Sequence, residues 1–436
     1  MSGVGADGSL AFAPEERFLD CVHCGLCLTA CPTYLETGHE ADSPRGRIYL
    51  MHGLQSGTLA PSADVVRHLD LCLGCRACET ACPSGVRYGA LIEAARPVVN
   101  AHGRRTWARR VRRLAVSQLV AKPHGQRLLG AAARLLPRAL LAALARRESL
   151  PEWLRFQAAL AVALPRAPRR RTRASALEPA GSPRGTVVLF PGCLAQTFFA
   201  DTNVHAARLL ALAGFRVRMP ARPLCCGAML LHLGHHTEAV ALARDALGAL
   251  TALSADTIAV TAAGCGAMLQ SYGELLGDAG AVIAARTRDV LALLADVELP
   301  EPAHAVPHRL TYHDACHLAH GQGVRDAPRA LLRRLPQAEL VELPEADLCC
   351  GSAGTYNLTE PAMGRQLMLR KARHIVATGA SVVAAANPGC VVQIRAGLAY
   401  LGARARVCHP VDLLAAAYFG PGLSAGARRS IATSEH

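Results

Sequence analysis

The chain has 436 residues, of which 51% are hydrophobic and 4% aromatic, with 17 cysteines and a formal net charge of +14. A chain this long can bury a sizeable core without disulfide staples, and its Gly/Ser-rich opening lacks the apolar stretch of a secretory signal. We therefore exclude a disulfide-rich secreted protein and expect a cytoplasmic one with reduced cysteines. No uninterrupted apolar run approaches the ~18 residues of a membrane span, which excludes an integral membrane protein.

Two cysteine groups of identical spacing lie in the first predicted domain, residues 15–100. The spacing is Cys-x-x-Cys-x-x-Cys-x-x-x-Cys-Pro in both, and it is typical of two-cluster ferredoxins. In such a run three cysteines surround one cubane cluster and the fourth reaches the neighbouring cluster. We therefore predict a mainly helical ferredoxin-type domain with two [4Fe–4S] clusters. The predicted ligands are Cys21, Cys24, Cys27 and Cys82 for the first cluster, and Cys72, Cys75, Cys78 and Cys31 for the second.

The residues around these cysteines fit the same interpretation. Gly25 and Gly74 allow the backbone to bend closely around a bulky cofactor. The fourth cysteine of each group is expected to open the helix that follows. The alternative is a pair of zinc sites, because Cys-x-x-Cys pairs also bind zinc. A run of three cysteines plus a fourth before proline favours iron–sulfur clusters.

The net positive charge of the chain comes from the second predicted segment, residues 101–184. Residues 101–175 contain 18 arginines and lysines against two glutamates, a balance of +16, which leaves the rest of the chain at −2. From Arg104 to Arg147 the apolar residues recur at near-helical spacing, which predicts basic amphipathic helices. The Pro/Arg-rich stretch 165–173 and residues 181–185 are predicted to be an exposed linker.

Three interpretations of this basic segment remain open from the sequence. It can be a solvated linker, a helix on an anionic membrane surface, or a docking arm for a partner subunit. Nucleic-acid binding is not expected, because the segment has almost no aromatic residues that could stack on bases.

The last part of the chain contains an internal repeat. Short β-branched runs such as Thr186–Phe190 and Thr257–Val260 alternate with Ala/Leu-rich helical stretches, which predicts βαβ units and a largely parallel sheet. A cysteine after a strand, a Cys-Cys-Gly triplet and a Gly-Cys pair recur at offsets of 123, 124 and 125 residues. We therefore predict two homologous α/β domains, residues 185–300 and 306–420. The whole chain is expected to be an α+β and α/β multidomain protein.

Each copy provides four candidate cluster or metal ligands. They follow strands and loops of a parallel sheet, so we expect the thiols to meet at the carboxyl ends of the strands, where open α/β folds place ligands. These candidates are Cys193, Cys225, Cys226 and Cys265 in the first copy, and Cys316, Cys349, Cys350 and Cys390 in the second. The remaining cysteine, Cys408, is expected to be a core residue.

The repeated half resembles the cysteine-rich CCG domain of heterodisulfide reductase and related subunits, in two copies. Together with the ferredoxin-type groups, the chain from Phe18 to Leu414 resembles the iron–sulfur subunits of glycolate oxidases. The segments Tyr312–Val324 and Asn387–Cys390 carry much of this resemblance. One departure concerns the fifth cysteine of the CCG pattern: Met268 and Gln393 stand in its place. Four thiols per copy suit one cubane cluster each, a zinc ion, or a buried structural role.

Four polar residues surround Cys316 in the sequence. They are His313, Asp314, His317 and His320. They could handle protons or contact a partner, but histidines beside a cysteine loop often support ligands through hydrogen bonds. We expect them to hydrogen-bond the loop and cap the following helix.

The sequence contains no dinucleotide fingerprint, no Walker lysine loop and no recognisable catalytic triad. We therefore expect an electron-transfer subunit without catalytic residues of its own. The resemblance implies that a partner flavoprotein with FAD oxidises glycolate to glyoxylate. This chain would pass the electrons to a quinone or another acceptor, in the cytoplasm or at the cytoplasmic face of the membrane.

Two alternatives remain. The first is an electron-transfer subunit of a lactate-utilisation or heterodisulfide-reductase-like complex. The second, from another class, is a zinc-binding nucleic-acid-associated protein. Iron content and a brown colour distinguish an iron–sulfur protein from a colourless zinc protein.

Overall fold

The computed structural model describes residues 11–135, 137–165, 176–179 and 181–420. An all-helical amino-terminal region is followed by four basic helices and then by two α/β units, each with a parallel four-stranded sheet. This confirms the predicted fold class.

The amino-terminal region consists of short helices around the cysteine loops. Its elements are α1 (Glu16–Leu19), α2 (Pro32–Thr37), a 3-10 turn (Glu40–Asp42), α3 (Pro44–Gln55), α4 (Ala63–Asp70), α5 (Ala77–Thr80) and α6 (Tyr88–His102). The start of α3 is well determined by sequence, because the Ser43 hydroxyl accepts a hydrogen bond from the Gly46 N–H at 3.0 Å and Pro44 occupies the first turn. Met51 and Leu91 are fully buried between α3 and α6.

The basic segment forms four helices: α7 (Trp107–Leu119), α8 (Pro123–Leu135), α9 (Arg138–Arg146) and α10 (Glu152–Ala163). These helices contact all three other parts of the chain. Arg105, just before α7, pairs with Asp70 at 2.8 Å, Arg109 pairs with Glu360 at 2.5 Å, and Lys122 of α8 pairs with Glu238 at 3.0 Å. This part of the chain is therefore not a solvated linker. Residues 166–173 of the predicted linker lie outside the described residues.

The first α/β unit has the strand order β2-β1-β3-β4, all parallel. Its strands are β1 (Thr186–Phe190), β2 (Arg216–Arg218), β3 (Thr257–Val260) and β4 (Thr287–Asp289). Its helices are α11 (Cys193–Phe198), α12 (Ala200–Leu212), α13 (Ala228–His232), α14 (His236–Ala252), α15 (Ala263–Gln270), α16 (Tyr272–Leu276), α17 (Asp278–Arg286) and α18 (Val290–Ala295).

The second unit repeats this topology as β6-β5-β7-β8. Its strands are β5 (Arg309–His313), β6 (Glu339–Val341), β7 (Val382–Ala385) and β8 (Arg406–Cys408). Its helices are α19 (Cys316–Ala319), α20 (Asp326–Arg333), α21 (Tyr356–Thr359), α22 (Pro361–Ala377), α23 (Pro388–Tyr400) and α24 (Pro410–Phe419). The two-copy prediction is confirmed.

The two units pack against each other with reciprocal helix contacts. Helix α12 of the first unit corresponds to α20 of the second, and α18 corresponds to α24. Helix α12 packs on α24, and α20 packs on α18, so each unit presents the same two helices to the other. Such reciprocity is the signature of an approximate two-fold axis. Near this axis the carboxyl ends of β3 and β7 meet, since the Ala263 N–H donates to the Ala386 carbonyl at 3.3 Å. One hydrophobic core, which includes Val187 and Leu310, runs through both units.

The described residues were also searched for membrane spans. None of their helices is both long and apolar enough to cross a bilayer alone, but α8 and α9, bent by 92°, meet the length and composition criteria as a pair.

The pairing of Arg105 with Asp70 predicts a large effect on stability. Their side chains are only 4% and 7% exposed. Burial raises the pKa of Asp70, but the nearby guanidinium groups of Arg105 and Arg113 outweigh it and hold this pKa below its ordinary value. In Arg105→Ala the buried Asp70 carboxylate keeps only its longer ion pair, with Arg113 at 3.6 Å. We expect a loss of about 3 kcal/mol in the free energy of unfolding, measured by urea unfolding of the cluster-containing protein.

The control is Arg104→Ala, because Arg104 is exposed and its removal should leave the urea midpoint unchanged. Equal midpoints for the two variants would contradict the role of this ion pair.

Candidate metal centres

The structure brings the predicted ligands of the second cluster together. Cys31, Cys72, Cys75 and Cys78 line one small cavity between α2, α5 and α6. All four are at most 9% exposed. Cys31 precedes α2, whose first turn contains Pro32, so the end of one cysteine group reaches the loop of the other. The donor set of this cavity therefore fits a cubane cluster.

Hydrogen-bond donors and a buried cation surround these sulfurs. The Gly74 N–H and the Tyr88 hydroxyl donate to Cys72 Sγ at 3.3 and 3.5 Å. The Arg47 guanidinium lies 3.9 Å from Cys31 Sγ and is itself only 1% exposed. Such groups stabilise negative charge on the sulfurs and thereby raise the reduction potential of a bound cluster.

Both cysteine loops use the same unusual backbone. The residues on either side of the middle cysteine have positive φ: His23 (55°) and Gly25 (86°) around Cys24, and Gly74 (66°) and Arg76 (63°) around Cys75. The sequence indicated only the two glycines. Left-handed residues on both sides of a ligand form a tight turn whose N–H groups can face an anionic cofactor.

The first cysteine group lies nearer the surface. Cys24 is exposed, and Cys21, Cys27 and Cys82 are half-buried. The last three pack against the same hydrophobic core, that of the amino-terminal region. Their assignment to one cluster stays a prediction. Cys82 does not open a helix as expected: it lies in a turn, and α6 begins only at Tyr88.

In the first α/β unit the four candidate ligands converge at the carboxyl ends of the strands, as predicted. Cys193 follows β1, Cys265 lies in α15 after β3, and the vicinal pair lies in the loop before α13. Cys193 Sγ lies 3.6 Å from Cys225 Sγ, and Cys226 Sγ lies 3.4 Å from Cys265 Sγ. A donor from the basic segment reaches this group, because Gln126 Nε2 of α8 lies 3.4 Å from Cys193 Sγ.

The second unit has the same arrangement and also contacts the ferredoxin-type region. Cys316 and Cys349 pack with Leu73 and Cys75 in one apolar cluster. The Tyr356 hydroxyl donates to the Leu71 carbonyl at 2.9 Å. The second cysteine loop of the amino-terminal region therefore lies directly against the cysteines of this unit.

Two of the three histidines around Cys316 hydrogen-bond the amino-terminal domain, and His320 also hydrogen-bonds its own unit, at the Asp347 carbonyl 3.2 Å from Nε2. His317 Nε2 lies 3.0 Å from the Gly74 carbonyl, and His320 Nδ1 lies 3.0 Å from Thr80 Oγ1. Asp314 instead pairs with Arg329 at 2.7 Å. None of the three caps α19 through its side chain. The supporting role expected from the sequence is thus partly right, with a different partner.

The two cysteine groups of the repeat face one shared cleft. It is bounded by Gly264 and Gly389, which precede Cys265 and Cys390, and by Leu73 of the amino-terminal region. The cysteines that line it are Cys193, Cys225, Cys226 and Cys265 from the first unit, and Cys316, Cys349 and Cys390 from the second. Cys350 lies behind them in the core, and Cys408 is buried in β8, away from the cleft.

The electrostatics of these thiols favour a bound cation. The hydrogen bond that the neutral Cys193 thiol shares with Cys225, together with burial, raises the pKa of Cys193 well above its ordinary value. The bond with Cys349, together with burial, does the same for the pKa of Cys316. Their surroundings therefore oppose the ionisation of these two thiols. A metal or an iron–sulfur cluster supplies the positive charge that allows them to lose their protons. The donor set of each unit therefore fits an iron–sulfur cluster.

Gln393 and Met268, at the position of the fifth CCG cysteine, are not ligands in this structure. Gln393 is fully buried, accepts from Asn357 Nδ2 at 2.8 Å and donates to the Gly364 carbonyl at 2.8 Å. Met268 packs in the core of the first unit.

Comparison with known proteins agrees with this architecture. Residues 17–86 match the 4Fe-4S dicluster domain, and residues 187–270 and 310–395 match the cysteine-rich CCG domain. The probable glycolate oxidase iron–sulfur subunit of Bacillus subtilis is 37% identical over 92% of this chain and 94% of its own length. The glycolate oxidase iron–sulfur subunit of Escherichia coli is also 37% identical, over 85% of this chain and 88% of its own length.

The chain belongs to the family of glycolate oxidase iron–sulfur subunits. Lactate utilization protein A of Geobacillus kaustophilus is 32% identical, but that similarity covers only 52% of this chain and 98% of the relative. The glycolate oxidase iron–sulfur family therefore accounts for the whole arrangement, and the lactate-utilisation proteins for about half of it.

The position of Arg47 predicts an effect on reduction potential. Arg47→Met removes a buried positive charge beside Cys31, so the potential of the second cluster should become more negative. The shift should be about 100 mV, the size of one charge acting over a few ångströms at an effective dielectric constant of about 20. An EPR-monitored redox titration measures it.

Arg47→Lys keeps the charge and should stay close to the wild-type potential. Arg45→Met is the matched control, because Arg45 contacts the first cysteine loop through the His23 carbonyl at 2.9 Å. A second-cluster potential that moves equally in the methionine and lysine variants would show that charge is not the cause.

Proposed function

We propose that this chain is the electron-transfer subunit of a glycolate-oxidising complex. A partner flavoprotein carrying FAD oxidises glycolate to glyoxylate, and this chain conducts the electrons towards a quinone or another acceptor. Iron–sulfur clusters, when bound, exchange one electron at a time, which suits a subunit placed after a two-electron flavin.

The observation that supports this proposal is the continuity of the cysteine groups. The cavity of Cys31, Cys72, Cys75 and Cys78 adjoins Cys316 and Cys349 of the second unit. The cysteines of the second unit in turn share a cleft with those of the first unit. The ligand groups thus follow one another through the molecule, from the surface loop of Cys24 to the cleft. No nucleophile, acid or base is needed in such a path.

The flavoprotein is proposed to dock at the first cysteine loop. This loop is the most exposed ligand group, and it is flanked by the apolar side chains of Val22 and Leu26, which are 68% and 59% exposed. Leu19 and Tyr49 add 68% and 67% exposed apolar side chains nearby. An exposed apolar patch beside a redox site is typical of a protein interface.

Cys75→Ser tests the path. The proposal predicts that the flavoprotein still reduces the first cluster, while the acceptor is reduced at least tenfold more slowly. Stopped-flow mixing of the assembled complex with glycolate, followed by rapid-freeze EPR, measures the two events separately. Iron should be lost from the second cluster alone.

Cys408→Ser is the matched control, because Cys408 is a buried cysteine outside every ligand group. Its rates should equal those of the wild type. Undiminished acceptor reduction in Cys75→Ser would refute the path, and a colourless wild-type protein that contains zinc would refute the electron-transfer function itself.

We also propose that the basic helices rest on the cytoplasmic face of the membrane. Trp107, Val111 and Leu114 lie on one face of α7 and are 78%, 45% and 59% exposed. Leu128 and Leu135 of α8 are 63% and 86% exposed. Exposed apolar residues on arginine-rich helices match the chemistry of an anionic lipid surface. A membrane position would also suit a quinone acceptor.

This contact predicts binding of the full chain to phosphatidylcholine vesicles that contain phosphatidylglycerol, and weaker binding as salt is raised. The double variant Trp107→Ser, Leu114→Ser should bind about tenfold or more weakly, because two exposed apolar side chains no longer insert. Vesicle co-sedimentation measures both effects. The control is Val282→Ser, which removes a 50% exposed side chain from α17. Equal binding to vesicles of phosphatidylcholine alone would contradict the proposal.

A further inference from the structure

The second α/β unit contains a fifth potential ligand that is not a cysteine. His313 is the last residue of β5 and is completely buried. One of its ring nitrogens, Cys350 Sγ and Cys390 Sγ all lie within 4.8 Å of one another. The structure thus places an imidazole inside a candidate ligand group.

Both ring nitrogens of His313 lack a hydrogen-bond partner. A buried polar group without a partner costs free energy, so such groups are rare in native proteins and call for a reason. The Ala346 carbonyl lies close enough to the ring to raise the pKa of His313, but outside hydrogen-bond geometry. That carbonyl accepts from the Asp314 N–H at 3.1 Å. A bound metal ion would satisfy one ring nitrogen and leave Ala346 as an acceptor near the other, as is usual for metal-ligating histidines.

The first unit provides an internal comparison. Its residue at the same strand position is Phe190, the last residue of β1, which is fully buried in an apolar core together with Cys226. Phenylalanine cannot bind a metal. The two units have therefore diverged at one of the positions closest to their ligands, and only the second has gained a nitrogen donor.

We propose that His313 is a ligand of the iron–sulfur centre in the second unit, together with cysteines of that unit. This unit then has five donors, as in the full CCG pattern, although Gln393 is turned away into its own hydrogen bonds. The inference rests on the proposed presence of an iron–sulfur centre in this unit.

A histidine ligand changes the properties of the centre. A cubane cluster takes four protein ligands, so His313 takes the place of one of the four thiolates of this unit. The neutral imidazole removes one negative charge, and such replacement raises the reduction potential. The buried Lys371 interacts electrostatically with Cys350 and Cys349, and its positive charge also raises the reduction potential. The second unit should therefore hold electrons more firmly than the first, and the duplicated domains would form two unequal steps of the path.

The test uses the full-length protein, reconstituted anaerobically and labelled with ¹⁵N-histidine. Pulsed EPR of the reduced protein should show the strong hyperfine coupling of a directly bound imidazole nitrogen. His313→Phe, which introduces the residue of the first unit, should lose this coupling, while the EPR signals of the ferredoxin-type clusters persist. Those persisting signals, with an unchanged circular dichroism spectrum, show that the variant has folded.

Two further variants separate ligation from a structural role. His313→Cys should also lack the nitrogen coupling, and its added thiolate should shift the potential of this centre to more negative values. His409→Phe is the matched control, because His409 is equally buried but both of its nitrogens are occupied, by the Thr261 carbonyl at 2.9 Å and the Val411 N–H at 3.1 Å. It should leave the coupling unchanged.

The proposal is overturned if a centre is present in the second unit and the wild type lacks the coupling, or if His313→Phe retains it. A wild-type iron content of only about eight per chain, at four per cubane, or zinc in this unit, would also overturn it. In those two cases the ferredoxin-type path would still stand, so the two failures are distinguishable.

Discussion

Crowding of sulfur atoms in buried positions is the constraint on which this molecule depends. In each α/β unit two pairs of thiols meet where several strands end, and their surroundings oppose the ionisation of Cys193 and Cys316. As neutral thiols they would be ordinary apolar packing. As ligands they require positive charge, and in the described part of the chain Arg47 and Lys371 are the buried arginine and lysine. Folding of these regions and binding of iron are for this reason thermodynamically linked.

Much of this arrangement could be predicted from the sequence because its determinants are local. Three cysteines that are separated from one another by two residues must lie on one loop. A strand that is followed by Gly-Cys must present the thiol at the end of a sheet. The repeat offsets then established the two units. By contrast, the role of the basic segment depends on pairs far apart in sequence, such as Arg109 with Glu360. Composition reports the charge of such residues but not whether their partners are buried with them.

The candidate site also shows where pattern matching fails. The cysteine pattern shows that Met268 and Gln393 stand where a fifth ligand is missing. The structure instead shows His313 as a candidate ligand that the pattern does not include. A histidine at a strand end looks the same in sequence whether or not its ring is hydrogen-bonded. Only the three-dimensional surroundings reveal that both nitrogens lack a partner next to two thiols. The left-handed conformations of His23 and Arg76 were equally invisible, because only a small fraction of non-glycine residues adopts them, even though histidine does so more often than arginine.

The hydrogen bonds between the second α/β unit and the amino-terminal region affect the order in which the protein folds and binds its cofactors. His317 holds the Gly74 carbonyl and Tyr356 holds that of Leu71, so the loop around Cys72 and Cys75 is fastened by residues synthesised some 240 to 285 positions later. While the ribosome is still producing the carboxyl-terminal third, that loop is open to the scaffold proteins that deliver iron and sulfide. Once the last unit has folded onto it, delivery requires the contact to be broken again. These contacts therefore favour an order of assembly in which the amino-terminal cofactors are bound before the last unit closes over the loop.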